Sequence, residues 1–207
     1  MRNNSLNEIW EARIKNEGVD FLYFVDVAVL PMAGVAGYSC VVFFGRAISR
    51  AYINALKKGE APKTKEVINT ERKMDKLSVK IANELTDEGY NSTAKIKFGL
   101  LPHKTVALNA GLGFIGKNNL LVMTQYGCAV MFGKVLTTAP FAAMHAAPIE
   151  PQCGNCTVCI DACPSKALLG TTWNVNVKRD DMMIRKNCIL CHSCMIYCPY
   201  TEKYSKN

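Results

Sequence analysis

Two runs of four cysteines carry the plainest chemistry in this chain. They are Cys153-x2-Cys156-x2-Cys159-x3-Cys163-Pro164 and Cys188-x2-Cys191-x2-Cys194-x3-Cys198-Pro199. The second repeats the first 35 residues later. Both follow C-x2-C-x2-C-x3-C-P, the bacterial spacing for 4Fe–4S clusters. A cubane needs four thiolates converging on one body, and cysteines at i, i+3 and i+6 wrap a tight loop around one face of it. The fourth cysteine of each run lies beyond that loop, and in two-cluster ferredoxins it ligates the other cluster. The expected ligand sets are therefore Cys153, Cys156, Cys159 and Cys198 for one cluster, and Cys188, Cys191, Cys194 and Cys163 for the other. The proline after each run fixes φ and breaks the local helix, turning the chain back. A disulfide framework would belong to a small secreted domain in an oxidising compartment. Structural zinc would favour pairs of Cys-x2-Cys without the triple run. Cys40 and Cys128 stand outside the runs and read as small buried apolar residues.

A second segment, Gly111-Leu-Gly113-Phe-Ile-Gly116-Lys117, matches G-x-G-x-x-G. A nicotinamide-binding fingerprint would need an acid about 20 residues further on. None is present: no Asp or Glu occurs between Glu88 and Glu150, whereas Lys95, Lys97, His103, Lys104, Lys117, Lys134 and His145 all fall there. Two readings follow. The stretch is buried chain, which is poor in charge. Or it is an anion site, in which glycine amides approach a phosphate and Lys117 adds a point charge. The phosphate would belong to a flavin, a corrinoid tail or a nucleotide.

Near the cysteines, His192 sits between Cys191 and Cys194, where it would face solvent or donate towards a cluster sulfur. Lys178, Arg179, Arg185 and Lys186 lie between the runs. They read as a solvated face, or as a docking patch for an acidic donor such as a reduced ferredoxin or flavodoxin.

The elements that must position these groups are an α+β set. Helical spacing of Leu6, Ile9, Trp10 and Ile14 predicts a helix over residues 1–18, ended by Gly18. Phe21–Val27 and Cys40–Phe44 read as buried strands. A short helix follows over 47–57, and a long amphipathic one over 66–88 with Met74, Leu77, Ile81 and Leu85 on one face. Thr93–Phe98 reads as a strand, and Leu120–Thr124 with Ala129–Thr137 as a hairpin. Residues 140–151, rich in alanine and proline, read as a linker. The expected organisation is an α/β cofactor or substrate domain over 1–148 and a ferredoxin-type module over 149–207. The N-terminus is polar and charged, so it is not a signal peptide. The most apolar stretch, 21–44, is broken by Asp26, Pro31 and glycines and cannot span a bilayer. A cytoplasmic location is expected. The formal charge is +8; eight cluster thiolates and two oxidised cores would bring it to about +4. That balance does not call for nucleic acid.

Ala107-Leu-Asn-Ala110-Gly-Leu-Gly-Phe-Ile-Gly-Lys117-Asn-Asn-Leu-Leu, then Gly133-Lys-Val-Leu-Thr-Thr-Ala-Pro140, then the cysteine runs, resembles the epoxyqueuosine reductase family. That family carries A-G-L-G-W-I-G-K, G-x-x-L-T-x-x-P and a two-cluster module in this order, and it is related to the reductive dehalogenases. The resemblance implies a nitroreductase-like N-terminal domain and a cobalamin bound without an axial histidine. It also implies clusters that feed electrons to the cobalt for a two-electron reduction. The family places a catalytic acid in D-S-A-P-V-x-E-R. Here the matching stretch is Gly99-Leu-Leu-Pro102-His-Lys-Thr, which puts Gly99 in the place of the aspartate and His103 beside the proline. His103 is then the candidate to supply a proton. The C-terminal extension of larger members, which helps hold tRNA, has no counterpart within these 207 residues.

Three functions fit. The first is an iron–sulfur oxidoreductase with a corrinoid or flavin, or a small-molecule substrate, at the N-terminal domain. The second is an electron-transfer protein that reduces a partner, such as a corrinoid protein, without a substrate site of its own. The third is an RNA-binding module with structural clusters, and the sparse aromatic interleaving of the basic stretch speaks against it.

Overall fold

Cys40-Val-Val-Phe-Phe44 has neither charge nor alternation, the pattern of a strand covered on both faces. It lies in β2 (Cys40–Ala47), and Val41, Val42, Phe43 and Phe44 have no exposed surface. The computed structural model describes residues 4–30, 35–62, 64–94 and 101–206. Within these the chain is α+β. The helices are α1 (Asn4–Asn16), α2 (Arg50–Lys58), α3 (Lys65–Asp87), α4 (His103–Asn109), α5 (Val158–Asp161), α6 (Arg179–Met182), α7 (Ser193–Ile196) and α8 (Pro199–Lys206). The other strands are β1 (Phe21–Asp26), β3 (Ser92–Thr93), β4 (Phe114–Ile115), β5 (Leu121–Val122) and β6 (Val130–Thr137). None of the described helices is long and apolar enough to cross a membrane.

Two compact units emerge, and they are not consecutive blocks. The first comprises Met1–Ala47, Asn69–Gly111 and Met131–Ala147; the second comprises Ile48–Ile68, Leu112–Val130 and Pro148–Asn207. One of the breaks between their segments falls between Ala147 and Pro148. The cysteine-bearing unit nevertheless draws in two segments from earlier in the chain.

The first unit is organised by a four-stranded sheet in the order β1-β2-β6-β3, with β1 antiparallel to β2 in the register Phe24↔Val42 and Phe21↔Gly45. The period of two sends Phe24, Val42, Phe44 and Val135 to one face. There they meet Trp10 and Ile14 of α1 and Met74, Leu77, Ile81 and Leu85 of α3. Burial of each such side chain stabilises the fold by roughly 1.5–3 kcal/mol. The opposite face is aromatic: Phe43 stacks on Phe132 at 5.4 Å between ring centroids, with Phe21 and His103 beside them. Residues 140–147 are not a free linker. Phe141 stacks on Phe24 at 4.3 Å, and the Asn7 side chain both donates to Ala142 O and accepts from Ala142 N.

Three local expectations change. α4 forms directly after Pro102, where no element was expected. The strand expected over 93–98 is described only at Ser92–Thr93 and does not continue through Ala94; residues 95–98 lie outside the described residues, as does Gly99. β5 pairs with β4 (Phe114↔Val122) in a sheet of its own, whereas β6 joins the four-stranded sheet. Gly113 explains the pairing: a Cβ there would stand 2.3 Å from the Val122 carbonyl oxygen, so only glycine allows β5 to close onto this segment.

Gly133 has the same role in the first unit. A Cβ would fall 2.3 Å from the Phe44 ring and 2.7 Å from Ser78 Oγ, which accepts the Lys134 N–H. Gly133→Ala is expected to destabilise the protein by about 1–3 kcal/mol through overpacking. Urea unfolding measures this, and an unchanged midpoint would show that α3 can withdraw freely.

Candidate cluster site and its supporting residues

Cys198 is the residue before α8, with Pro199 as the first helical residue. Proline suits that position because its missing N–H would have had no partner and its fixed φ is helical. The proline thus breaks α7 from α8, as expected, but it also starts a helix. The sulfur of Cys198 consequently meets the free amides of the first turn: Tyr200 and Thr201 N–H both donate to it. Thiolates are stabilised at such a place. The Cys128 thiol also donates, and these bonds hold Cys198 well below the usual thiol range despite burial.

Cys198 opens onto a cavity of about 180 Å³ that it shares with Cys153, Cys156 and Cys159. The rest of the lining includes Gly116, Lys117, Asn118, Gln152 and Tyr200. One member of the second run thus joins three of the first. Burial, and then the facing thiols of Cys153, Cys198 and Cys156, push Cys159 up to about 11. The remaining cysteines gather about Cys194. Burial and its neighbours Cys159, Cys191, Cys188 and Cys163 push that thiol up to about 12. At Cys163 burial acts upward, but hydrogen bonds from Ala167 and Ser165 outweigh it and leave the thiol low.

Four thiols at one cavity resist joint ionisation unless a cation balances them. The donor set therefore fits a cationic iron–sulfur core, and the cavity leaves room for a body larger than one ion. Among the described residues no three His, Cys, Asp or Glu close around a single point, as one metal ion would require. A cubane spreads its ligands around a larger body.

Lys117 serves this loop. Its ammonium donates to Gly154 O at 2.6 Å and to Cys156 O at 3.3 Å, and its backbone N–H donates to the Cys153 sulfur. The glycine amides expected to cradle a phosphate are engaged within the chain: Gly111 N donates to Leu108 O and Gly116 N to Leu120 O. Gly111 belongs to the first unit, whereas Gly113, Gly116 and Lys117 belong to the second. No helix opens at Gly116, so the motif has no helix N-terminus to offer an anion.

Asn118, Cys128 and Thr201 had no distinctive sequence signal. The Asn118 amide donates to Cys128 Sγ at 3.3 Å and to Cys194 O at 3.1 Å. Cys128 N donates to Thr201 Oγ1 at 3.0 Å. Cys128 is buried, as expected, but its surroundings are polar. Cys40, by contrast, lies in the apolar core. His192 is held at φ 61° at the start of α7, and burial lowers its pKa. Lys178, Arg179, Arg185 and Lys186 are exposed, as a solvated face requires.

His103 belongs to the first unit, where Lys134 Nζ lies 3.2 Å from its Nε2. An ammonium can only donate, so Nε2 accepts and the imidazole is neutral. Burial, and then the Lys134 charge, lower the His103 pKa to about 3. At neutral pH its Nε2 carries no proton, and Lys134 bears the proton of the pair. The same unit holds an open cavity of about 710 Å³ lined by Asp26, Leu30, Tyr38, Ser39, Thr138 and Phe141, among others.

No protein-family model matches the chain. Among solved structures, epoxyqueuosine reductase from Bacillus subtilis superposes on 96% of this chain and 66% of its own, with a TM-score of 0.60 and 20% identity. A catabolic reductive dehalogenase superposes on 91% of this chain and 31% of its own, with a TM-score of 0.69 and 16% identity. At such identities the likeness is one of fold, and it sets the class: the fold shared by epoxyqueuosine reductases and reductive dehalogenases.

Sequence narrows this further. Epoxyqueuosine reductase of Lactococcus garvieae is 33% identical over 145 residues, 63% of this chain and 40% of its own. That of Gloeobacter violaceus is 41% identical over 86 residues, 42% of this chain and 26% of its own. The chain is a homologue of the epoxyqueuosine reductases, and the match spans 40% or less of these relatives' length.

Two outcomes are expected. Lys117→Met removes charge-assisted bonds worth about 1.5–3 kcal/mol each, so amide exchange across 153–157 should quicken by about tenfold or more. Unchanged exchange would show that the loop holds itself. For His103, the unfolded chain binds a proton below pH 6.5 that the folded chain refuses until about 3. Stability should therefore fall as pH drops through that window. His103→Gln should flatten the fall in urea midpoints, and an equally steep fall in the variant would remove His103 as its source.

Proposed function

We propose that the chain is an iron–sulfur oxidoreductase carrying two 4Fe–4S clusters on a ferredoxin-type module. It delivers electrons to a corrinoid or flavin, or to a substrate, held by a nitroreductase-like N-terminal region. The observation that carries this reading is the meeting of Cys198 with Cys153, Cys156 and Cys159 at one cavity. That crossing of the two runs is the arrangement of two-cluster ferredoxins. Cys188, Cys191, Cys194 and Cys163 would hold the second cluster. Homology to epoxyqueuosine reductases supports the oxidoreductase class.

The chain's own residues have clear duties in this scheme. The α8 amides and Cys128 donate to Cys198. Lys117 pins the first loop and donates to Cys153. A corrinoid or flavin, when bound, would supply the two-electron reduction, and the cavity of about 710 Å³ offers space for an organic group. Lys134, the protonated member of the His103 pair, is the proton source nearest in kind to the acid such a reduction needs. The exposed Lys178, Arg179, Arg185 and Lys186 suit an acidic donor such as reduced ferredoxin or flavodoxin.

A second reading is an electron-transfer protein that reduces a partner and has no substrate site. It is favoured by one observation: the glycine–lysine segment is engaged with its own chain rather than open to a cofactor.

Anaerobic purification tests the proposal. About eight iron and eight sulfide per chain are expected. Cys153→Ser and Cys198→Ser should abolish the same electron paramagnetic resonance signal, and Cys163→Ser the other. Zinc in place of iron and sulfide would overturn the proposal, and Cys153 and Cys198 acting on different signals would overturn the crossed ligation. Corrinoid or flavin absorbance selects the first reading, whereas cluster absorbance alone selects the second.

A further inference from the structure

We propose that the loop between Cys188 and Cys191 is where an acidic one-electron carrier protein, such as a flavodoxin, docks: Ile189 and Leu190 are the apolar contact, and Arg185 and Lys186 are its charged rim. The proposal rests on the two-cluster reading above. It makes the cluster of Cys188, Cys191, Cys194 and Cys163 the one that receives electrons from outside.

The chain contains its own control, because the cysteine loop occurs twice. Between their first and second cysteines the two loops carry Gly154-Asn155 and Ile189-Leu190. Both pairs are exposed. The polar pair shows that a loop of this spacing needs no apolar residue at its tip. Ile189 is nevertheless 64% exposed and Leu190 67%. Leu190 also stands at φ +52°, a left-handed conformation that favours glycine or asparagine over a bulky side chain. The first loop uses glycine for its left-handed residue, Gly154 at φ +47°. The second holds a leucine there with most of its surface in water. Folding gains little from a leucine so placed, whereas adjoining exposed apolar side chains mark a surface that meets a partner. Ile184, next to Arg185, is 37% exposed and lengthens the patch.

Charge names the partner. Arg185 and Lys186 open the short helical turn Arg185–Asn187 directly before Cys188, and both are exposed. No Asp or Glu occurs from Met182 through Thr201. Lys178 and Arg179 differ: exposed Asp180 and Asp181 follow them at once, and the Asp181 carboxylate accepts the Lys178 N–H. That group is balanced, so the net positive charge lies beside the Ile189–Leu190 tip. An apolar centre with a basic rim fits an acidic protein, and its small area fits a brief electron-transfer encounter. A second copy of this chain, docked tip to tip, would set like charges against each other.

Ile189 is bonded to Cys188 and Leu190 to Cys191, so a carrier seated on the tip lies about 4 Å of chain from two ligand residues. One electron passes per encounter. The carrier's flavin hydroquinone is oxidised to the semiquinone, and the cluster goes from its oxidised to its one-electron-reduced core. The first loop is engaged differently, since Lys117 donates to Gly154 O and Cys156 O. Its cluster receives the electron second.

Anaerobic stopped-flow reduction is the test, with iron and sulfide counted first. Wild-type protein without two clusters would remove the underlying reading, and this proposal with it. With both clusters present, flavodoxin hydroquinone should reduce the wild type at a rate that falls with salt. Giving the second loop the first loop's tip, Ile189→Gly with Leu190→Asn, should slow that reduction by about tenfold while dithionite reduces the variant at the wild-type rate. Arg185→Gln with Lys186→Gln should slow it by about tenfold at low salt and flatten the salt dependence. Lys178→Gln with Arg179→Gln, the same change of charge at the balanced group, should slow it by less than about threefold. Wild-type rates in the first two variants, equal slowing with dithionite, or failure of flavodoxin to reduce the wild type would overturn the proposal. So would a wild-type dimer that the tip variant dissociates, which would make the tip a contact between copies. Should the tip variant lose iron, the Arg185 and Lys186 variant decides alone: slowed reduction supports the docking site, and a wild-type rate overturns it.

Discussion

The free amides at the start of α8 face the sulfur of Cys198, and much of the second unit is arranged around that meeting. A helix that begins with proline has no N–H to spare at its first position, so the next two amides are the ones available. They point at Cys198. Seating that helix start requires a close neighbour without a side chain, which Gly127 provides. The turn through Gly127 then carries Cys128 to the same sulfur. Asn118 ties that turn to Cys194 of the second cysteine run. One capped sulfur thus links both runs to a segment of chain 70 to 80 residues earlier.

This arrangement also explains why the second unit is not consecutive in sequence. Cysteine loops are short and make few apolar contacts of their own. The buried group around Cys159 and Cys163 contains only Ala167, Leu168 and Met183 besides. Small domains of this kind need staples. The unit adds β4, β5 and α2 from earlier in the chain. Asn54 and Lys57 of α2 bond to Ser205 of α8, Tyr204 donates to Ile48 O, and Arg50 lies over the Tyr204 ring. A bare ferredoxin module cut near residue 148 would lose each of these contacts.

What could be read in the sequence follows from how local each signal is. The cysteine spacing is local, and it gave both the runs and the expected crossing. β2 and α3 were legible because Val41–Phe44 and Met74–Leu85 carry period and composition within themselves. α4 was not, because His103–Asn109 is only seven residues long and opens at a proline without a side-chain cap. The partner of β5 was not legible either. Its pairing with β4 depends on the missing Cβ of Gly113, a contact that hydrophobic alternation does not encode. Cys128 and Thr201 are 73 residues apart, so nothing near either one announces the other. The fold class and the candidate ligands were therefore within reach of sequence, whereas their supporting bonds were not.

The stretch without Asp or Glu offered two readings, buried chain or anion site, and the structure brings them together. Much of 106–139 is buried, including Val106, Ala107, Phe114, Val122, Val135 and Leu136, which is reason enough to exclude acids. The cationic groups that remain find neutral acceptors: Lys134 meets an imidazole, and Lys117 meets two carbonyls. Burial, with the thiols of Cys198 and Cys156, leaves the Cys153 thiol raised, and the Lys117 N–H and charge act against that rise. A carboxylate beside that cavity would add to the repulsion among four sulfurs. The glycine–lysine segment thus faces the Cys153 thiol and the carbonyls of the first cysteine loop. The glycines serve the chain's own close approaches, and the lysine serves the cysteine loop.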